Sequence, residues 1–96
     1  MTLPVAALDE HLSRREGVMA QEAQGKTVLL RMDDGSYYAL DDVGALIWEL
    51  CDGQRSLADV IAALCAEYDA PEAMVTADVI EFVNDLRREQ LLVGPA

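Results

Sequence analysis

Thr27-Val28-Leu29-Leu30-Arg31-Met32-Asp33-Asp34-Gly35-Ser36-Tyr37-Tyr38-Ala39-Leu40 reads as two strands joined by a tight turn. Over 27–32 the alternation puts Val28, Leu30 and Met32 on one face, the period of a half-buried strand. Asp33-Asp34-Gly35 supplies residues that tolerate positive φ, which a tight reversal requires. The chain then returns over 36–40, with Tyr37 and Tyr38 on opposite faces. A hairpin here commits this half of the chain to an antiparallel sheet.

Upstream, residues 17–23 form a weaker strand, closed by Gln24-Gly25 as a turn. Before it, Leu3, Val5, Leu8 and Leu12 are loosely spaced, so residues 1–16 are expected to be a flexible lead-in without an assigned function. Downstream the period changes to helical. Asp41 or Asp42 caps a helix over about 42–51, in which Val43, Leu46, Ile47, Leu50 and Cys51 make the apolar stripe and Trp48 widens it. Ser56 with Asp59 has the spacing of a capping box, and Leu57, Val60, Ile61, Leu64, Cys65 and Tyr68 continue as a second helix over 56–68. Pro71 suits a first turn, and Val75, Val79, Phe82, Val83 and Leu86 define a third helix over 72–90. Leu91-Leu92-Val93 adds a short extended tail. The expected class is α+β: a three-stranded antiparallel sheet followed by three helices, as a single domain over 17–93.

Charge narrows the partners. The 96 residues carry 7 Lys+Arg against 18 Asp+Glu, a formal net charge of −11. Nucleic acid is disfavoured, because binding it relies on basic side chains that neutralise phosphates. Anionic membrane surfaces are disfavoured on the same ground. No apolar run approaches the roughly 18 to 20 residues that cross a bilayer. The first residues lack the basic start and apolar core of a secretory signal, so a cytoplasmic location is expected. Cys51 and Cys65 have neither CxxC spacing nor a cluster with the single His11, and read as reduced, buried thiols.

Catalytic chemistry is thinly provided. His11 lies in the lead-in, Ser56 has a capping role, Ser13 sits in the lead-in and Ser36 opens a strand. The Asp33-Asp34 and Asp41-Asp42 pairs lack the alternation and closing Glu of a calcium loop. No glycine-rich phosphate loop occurs. A non-catalytic protein without a cofactor or metal is the expectation.

What is left is an edge. Three short strands cannot close into a barrel, so at least one rim presents unpaired N–H and C=O groups. If the third strand forms that rim and a helix runs beside it, an extended peptide gains backbone hydrogen bonds from the strand and side-chain pockets from the helix. At about 100° per residue, Asp78, Asp85 and Glu89 border the apolar stripe of the third helix. An apolar strip with an acidic border suits a peptide that mixes hydrophobic anchors with Lys or Arg.

The run Tyr37-Tyr38-Ala39-Leu40-Asp41-Asp42-Val43-Gly44-Ala45-Leu46-Ile47-Trp48-Glu49-Leu50, then Asp52-Gly53, Ser56-Leu57 and a late Asp78-Val79 to Leu86, resembles the pyrroloquinoline quinone biosynthesis protein D family. The resemblance covers about residues 17–93. It implies a winged helix-turn-helix-like fold acting as a recognition element for ribosomally made, modified peptides. It further implies that a precursor's leader segment adds as a strand at Ser36, Tyr37, Tyr38, Ala39 and Leu40. The leader would lie against Val75, Asp78, Val79, Phe82, Asp85 and Leu86. The stand-alone length looks most like the small recognition protein of lasso-peptide clusters, whose partners are a leader peptidase and a macrocyclase. The quinone pathway, with a radical S-adenosylmethionine enzyme, is the alternative. Two rivals stand beside this reading: a DNA-binding winged helix, which the acidic third helix argues against, and an adaptor that contacts only a partner enzyme.

Overall fold

The computed structural model describes residues 8–94. Their order is β1 (Ser13–Arg14), β2 (Val18–Ala23), β3 (Lys26–Arg31), β4 (Tyr37–Leu40), α1 (Asp42–Leu50), α2 (Leu57–Tyr68), α3 (Glu72–Arg88) and β5 (Leu92–Val93). β2, β3 and β4 form an antiparallel sheet in that order, and the three helices follow it, which is the expected architecture.

Turn chemistry sets the register of the sheet. Gln24 and Gly25 both take positive φ (54° and 78°), the two-residue reversal whose twist matches that of the flanking strands. Across the second turn Gly35 has φ 74°. Asp34 accepts from the Ser36 N–H at 2.9 Å and from its hydroxyl at 2.7 Å, which fixes the loop from inside. Leu29 then faces Tyr38, and Thr27 faces Leu40. Leu29 and Leu40 are buried beneath the helices, whereas Tyr37 on the opposite face is 76% exposed.

Each helix begins where its capping residue stands. The Asp41 carboxylate accepts from the Gly44 N–H at 2.7 Å and starts α1. Ser56 and Asp59 exchange reciprocal bonds at the start of α2. Pro71 precedes the first turn of α3. The stripes of the three helices close one core of Ile47, Trp48, Leu57, Val60, Ile61, Leu64, Val79, Val83 and Leu86 under Leu29 and Leu40.

The lead-in departs from expectation over its described part. Ser13 and Arg14 pair with Val93 and Leu92 to make a separate two-stranded sheet. Leu12 is 1% exposed in the core. The carbonyls of Leu8 and Glu10 accept from the Ala58 and Leu57 N–H groups, each at 2.9 Å. Those are amides that the first turn of a helix leaves without intrahelical partners. The Arg87 guanidinium also reaches Glu10 at 3.0 Å. Residues 8–14 therefore complete the N-terminus of α2 and hold the tail. The expectation of a flexible segment extends beyond this to residues 1–7, which lie outside the described residues.

Candidate functional site

β4 is an outer strand of its sheet, and among the described residues nothing pairs with its free side. The direction of its polar groups follows from the register. The Arg31 N–H donates to the Ser36 carbonyl at 2.8 Å, so the backbone of Ser36 faces β3. Alternation along an antiparallel ladder turns Tyr38 and Leu40 the same way and leaves the N–H and C=O of Tyr37 and Ala39 pointing outward. β2 is the opposite rim, but its residues after Val18 are all exposed, so no side chains wall it. At the β4 rim the strand edge and a cleft run together over Tyr38, Ala39 and Leu40, whereas the cavity beside β2 touches that strand at Val18, its first residue.

That cleft has a volume of about 590 Å³. Tyr38, Ala39 and Leu40 form one wall, and Asp78 and Phe82 of α3 form another. Its floor comes from α1, through Val43, Gly44 and Ile47, while Lys26 and Asp41 stand at the end where β4 passes into α1. The lining is thus apolar at the centre, with two carboxylates and the chain's single lysine at its margins. Two smaller cavities lie elsewhere on the molecule. One, of about 310 Å³, abuts the ion pairs of Arg15 and Arg31 with Asp33. The other, of about 280 Å³, lies between Leu8 and the α2 residues Ala58, Ile61, Ala62 and Cys65.

The structure divides the residues singled out from sequence. Tyr38, Ala39, Leu40, Asp78 and Phe82 meet at the cleft, and Tyr37 shares the free edge. Ser36 stands one residue before β4 with its carbonyl committed to Arg31. Val79 and Leu86 are 1% and 0% exposed and belong to the core, so neither offers surface. Val75 packs half-buried against that core, and Asp85 is held by Arg88. The floor residues Val43, Gly44 and Ile47, and Lys26 and Asp41 at the end, were not singled out as site residues. A glycine inside a helical stripe, costing about 1 kcal/mol against Ala, was the available signal.

The electrostatics bear on the rivals. Arg87 and Arg88, the basic residues of α3, are paired with Glu10 and Asp85, so the helix presents no cationic face to a phosphate backbone. Burial pushes the Cys51 thiol up to about 11, which keeps it protonated and unreactive at neutral pH. Among the described residues there is no group of three or more His, Cys, Asp or Glu placed to hold a metal ion. Nor is any described helix long and apolar enough to cross a membrane.

Comparison with known proteins places these features in a family. The family model described as coenzyme PQQ synthesis protein D (PqqD) matches residues 26–92, from the start of β3 to the first residue of β5. A PqqA binding protein of Xanthomonas axonopodis pv. citri (strain 306) is 33% identical over 84 residues, covering 88% of this chain and 91% of its own. A PqqA binding protein of Xanthomonas euvesicatoria pv. vesicatoria (strain 85-10) is 35% identical over 80 residues, covering 83% and 87%. Among solved structures, TbiB1 in complex with the TbiA(beta) leader peptide superposes with a TM-score of 0.77 at 31% identity, covering 88% of this chain and 98% of that one. A lasso peptide synthetase B1 complexed with the leader peptide has a TM-score of 0.78 at 25% identity, covering 86% and 98%.

Proposed function

The chain belongs to the coenzyme PQQ synthesis protein D family, and from that membership we propose that it binds the leader segment of a ribosomally made precursor peptide along the outer edge of β4. It is a recognition protein and performs no reaction of its own. The observation that carries the reading is the pairing of a free strand edge with an apolar cleft. Tyr37 and Ala39 turn their backbone groups toward a guest strand, and Tyr38, Ile47 and Phe82 stand beside it to take alternate side chains. Asp41 and Asp78 favour a guest with Lys or Arg next to its apolar anchors, and the net charge of −11 draws such a peptide in.

In the pathway we assign to it, the chain presents the bound leader to a separate leader peptidase and, beyond that, to a macrocyclase of lasso-peptide assembly. The two B1 neighbours with leader peptides support that assignment. The alternative is delivery of a PqqA-type precursor to a radical S-adenosylmethionine enzyme, and the family description and the PqqA-binding relatives speak for it.

Fluorescence anisotropy tests the reading with two labelled probes, the TbiA(beta) leader and Xanthomonas PqqA. At least one is expected to bind with a Kd below roughly 100 μM. Which of the two binds more tightly separates the pathways. Ala39→Pro removes one outward N–H on an edge strand, where proline is tolerated. It is expected to abolish binding while the thermal melt stays cooperative. Saturable binding of the tighter probe undiminished by Ala39→Pro would overturn strand addition at β4.

A further inference from the structure

We infer that Gly44 is a positioning residue for leader recognition: its missing side chain lets the Phe82 ring lie against α1, and this holds the cleft beside β4 open. The inference rests on the peptide-binding reading above and assigns within it a residue that touches the cleft from below.

Gly44 occupies the first turn of α1 and is buried. It is not among the glycines with positive φ, so backbone freedom does not explain it. Space does. A Cβ placed there would stand 3.0 Å from Phe82 Cζ and 3.3 Å from its Cε1, closer than carbon atoms pack without one of them moving. It would also stand 3.1 Å from Asp41 Oδ1. That carboxylate is already engaged by the Gly44 N–H at 2.7 Å, so it yields only by loosening the cap.

Phe82 has little room to give way toward the core. On its inner side α3 presents Val79, Val83 and Leu86, exposed by 1%, 0% and 0%, and a packed interior does not accept a displaced ring. On its outer side lies the cleft that Phe82 itself lines, opposite Tyr38 and Leu40. A side chain at position 44 therefore sends the ring outward, into the volume that a guest's apolar residue would fill. α1 keeps a poor helix former in its first turn, and the return is the shape of the neighbouring site.

A double-mutant cycle with whichever of the labelled TbiA(beta) and PqqA probes binds more tightly tests this. Gly44→Ala is expected to weaken binding roughly tenfold in the Phe82 background, and by no more than about twofold when Phe82→Leu has shortened the side chain. In nuclear Overhauser spectra, contacts of the Phe82 ring should shift in Gly44→Ala from residue 44 toward Tyr38 and Leu40. Phe82→Trp keeps glycine at position 44, enlarges the ring that lies between α1 and the cleft, and is expected to weaken binding as well. Equal losses from Gly44→Ala in both backgrounds would mean damage to the helix cap and would overturn the inference. So would full affinity in Gly44→Ala and Phe82→Trp while the wild type binds. A wild-type chain that binds no leader overturns the recognition reading itself, and this one with it.

Discussion

Phe82 and Leu86 lie one helical turn apart on the same apolar stripe, yet their surroundings give them different work. Leu86 is 0% exposed, touching only the interior, while Phe82 is half-buried and lines the cleft. Leu86→Ala is expected to cost about 2 to 5 kcal/mol in a urea or thermal melt, because it leaves a cavity. The fraction that stays folded should bind leader as the wild type does. Phe82→Ala should do the reverse, lowering affinity roughly tenfold as a cleft anchor is lost. A folded Leu86→Ala chain with the weaker affinity of the two would reverse these assignments. The cysteines separate in the same way. Cys51 is buried with its thiol pushed up to about 11, and Cys65 is half-buried at the surface of α2. A thiol reagent at pH 8 should therefore titrate Cys65 first and reach Cys51 only as the chain unfolds. Simultaneous labelling would show that the core opens around Cys51.

α2 shows what a single element reveals in sequence and what it hides. Its start was readable from Ser56 and Asp59, because a capping box is a local device with a fixed spacing. Its other two N-terminal amides are satisfied by the carbonyls of Leu8 and Glu10, and any residue type offers a carbonyl. The lead-in therefore looked unassigned, and the pairing of Ser13 with Val93 joins opposite ends of the chain with no local signal. The β3–β4 hairpin was legible because turn residues and alternation both lie within it. The cleft was half legible for a physical reason. Helical period finds the stripe of α3, and so found Asp78 and Phe82, but it does not say which border of the stripe is covered. Val79 and Leu86 were covered, and α1 came to lie under the cleft, through a three-dimensional arrangement that no spacing encodes. Two truncations weigh these parts. Ser56→Ala is expected to cost about 1 kcal/mol, the ordinary worth of an N-cap. Deletion of the first 14 residues removes Leu12, two carbonyl acceptors and a strand, and should lower the melting temperature by considerably more. Equal melting temperatures for the deleted and intact chains would show that the lead-in adds nothing to α2.

For the molecule as a whole, an excess of carboxylates makes acid the condition that exposes how the fold is held. Three aspartates, Asp33 and Asp34 exposed and Asp52 half-buried, are kept below their ordinary value of 3.8 by specific donors. The Arg31 guanidinium hydrogen-bonds Asp33, the Ser36 backbone N–H donates to Asp34, and the Gln54 backbone N–H donates to Asp52. Because their folded values lie below the unfolded one, the unfolded chain takes up protons first as pH falls. Their contribution to stability is complete above that ordinary value and is lost as pH drops through the lowered folded values. Self-repulsion from the net charge of −11 acts in the opposite sense, since protonation relieves it. At physiological salt, with a screening length of about 8 Å, that diffuse repulsion is damped, while the contact-distance bonds are not. The melting temperature should accordingly stay level from pH 7 to pH 5 and fall below about pH 4. A variant carrying Asp33→Asn, Asp34→Asn and Asp52→Asn should melt lower at pH 7 and decline less in acid, so that the two profiles converge once the pH has dropped through the lowered folded values. Parallel profiles would place the acid sensitivity in other carboxylates and leave these three turns with no part in it.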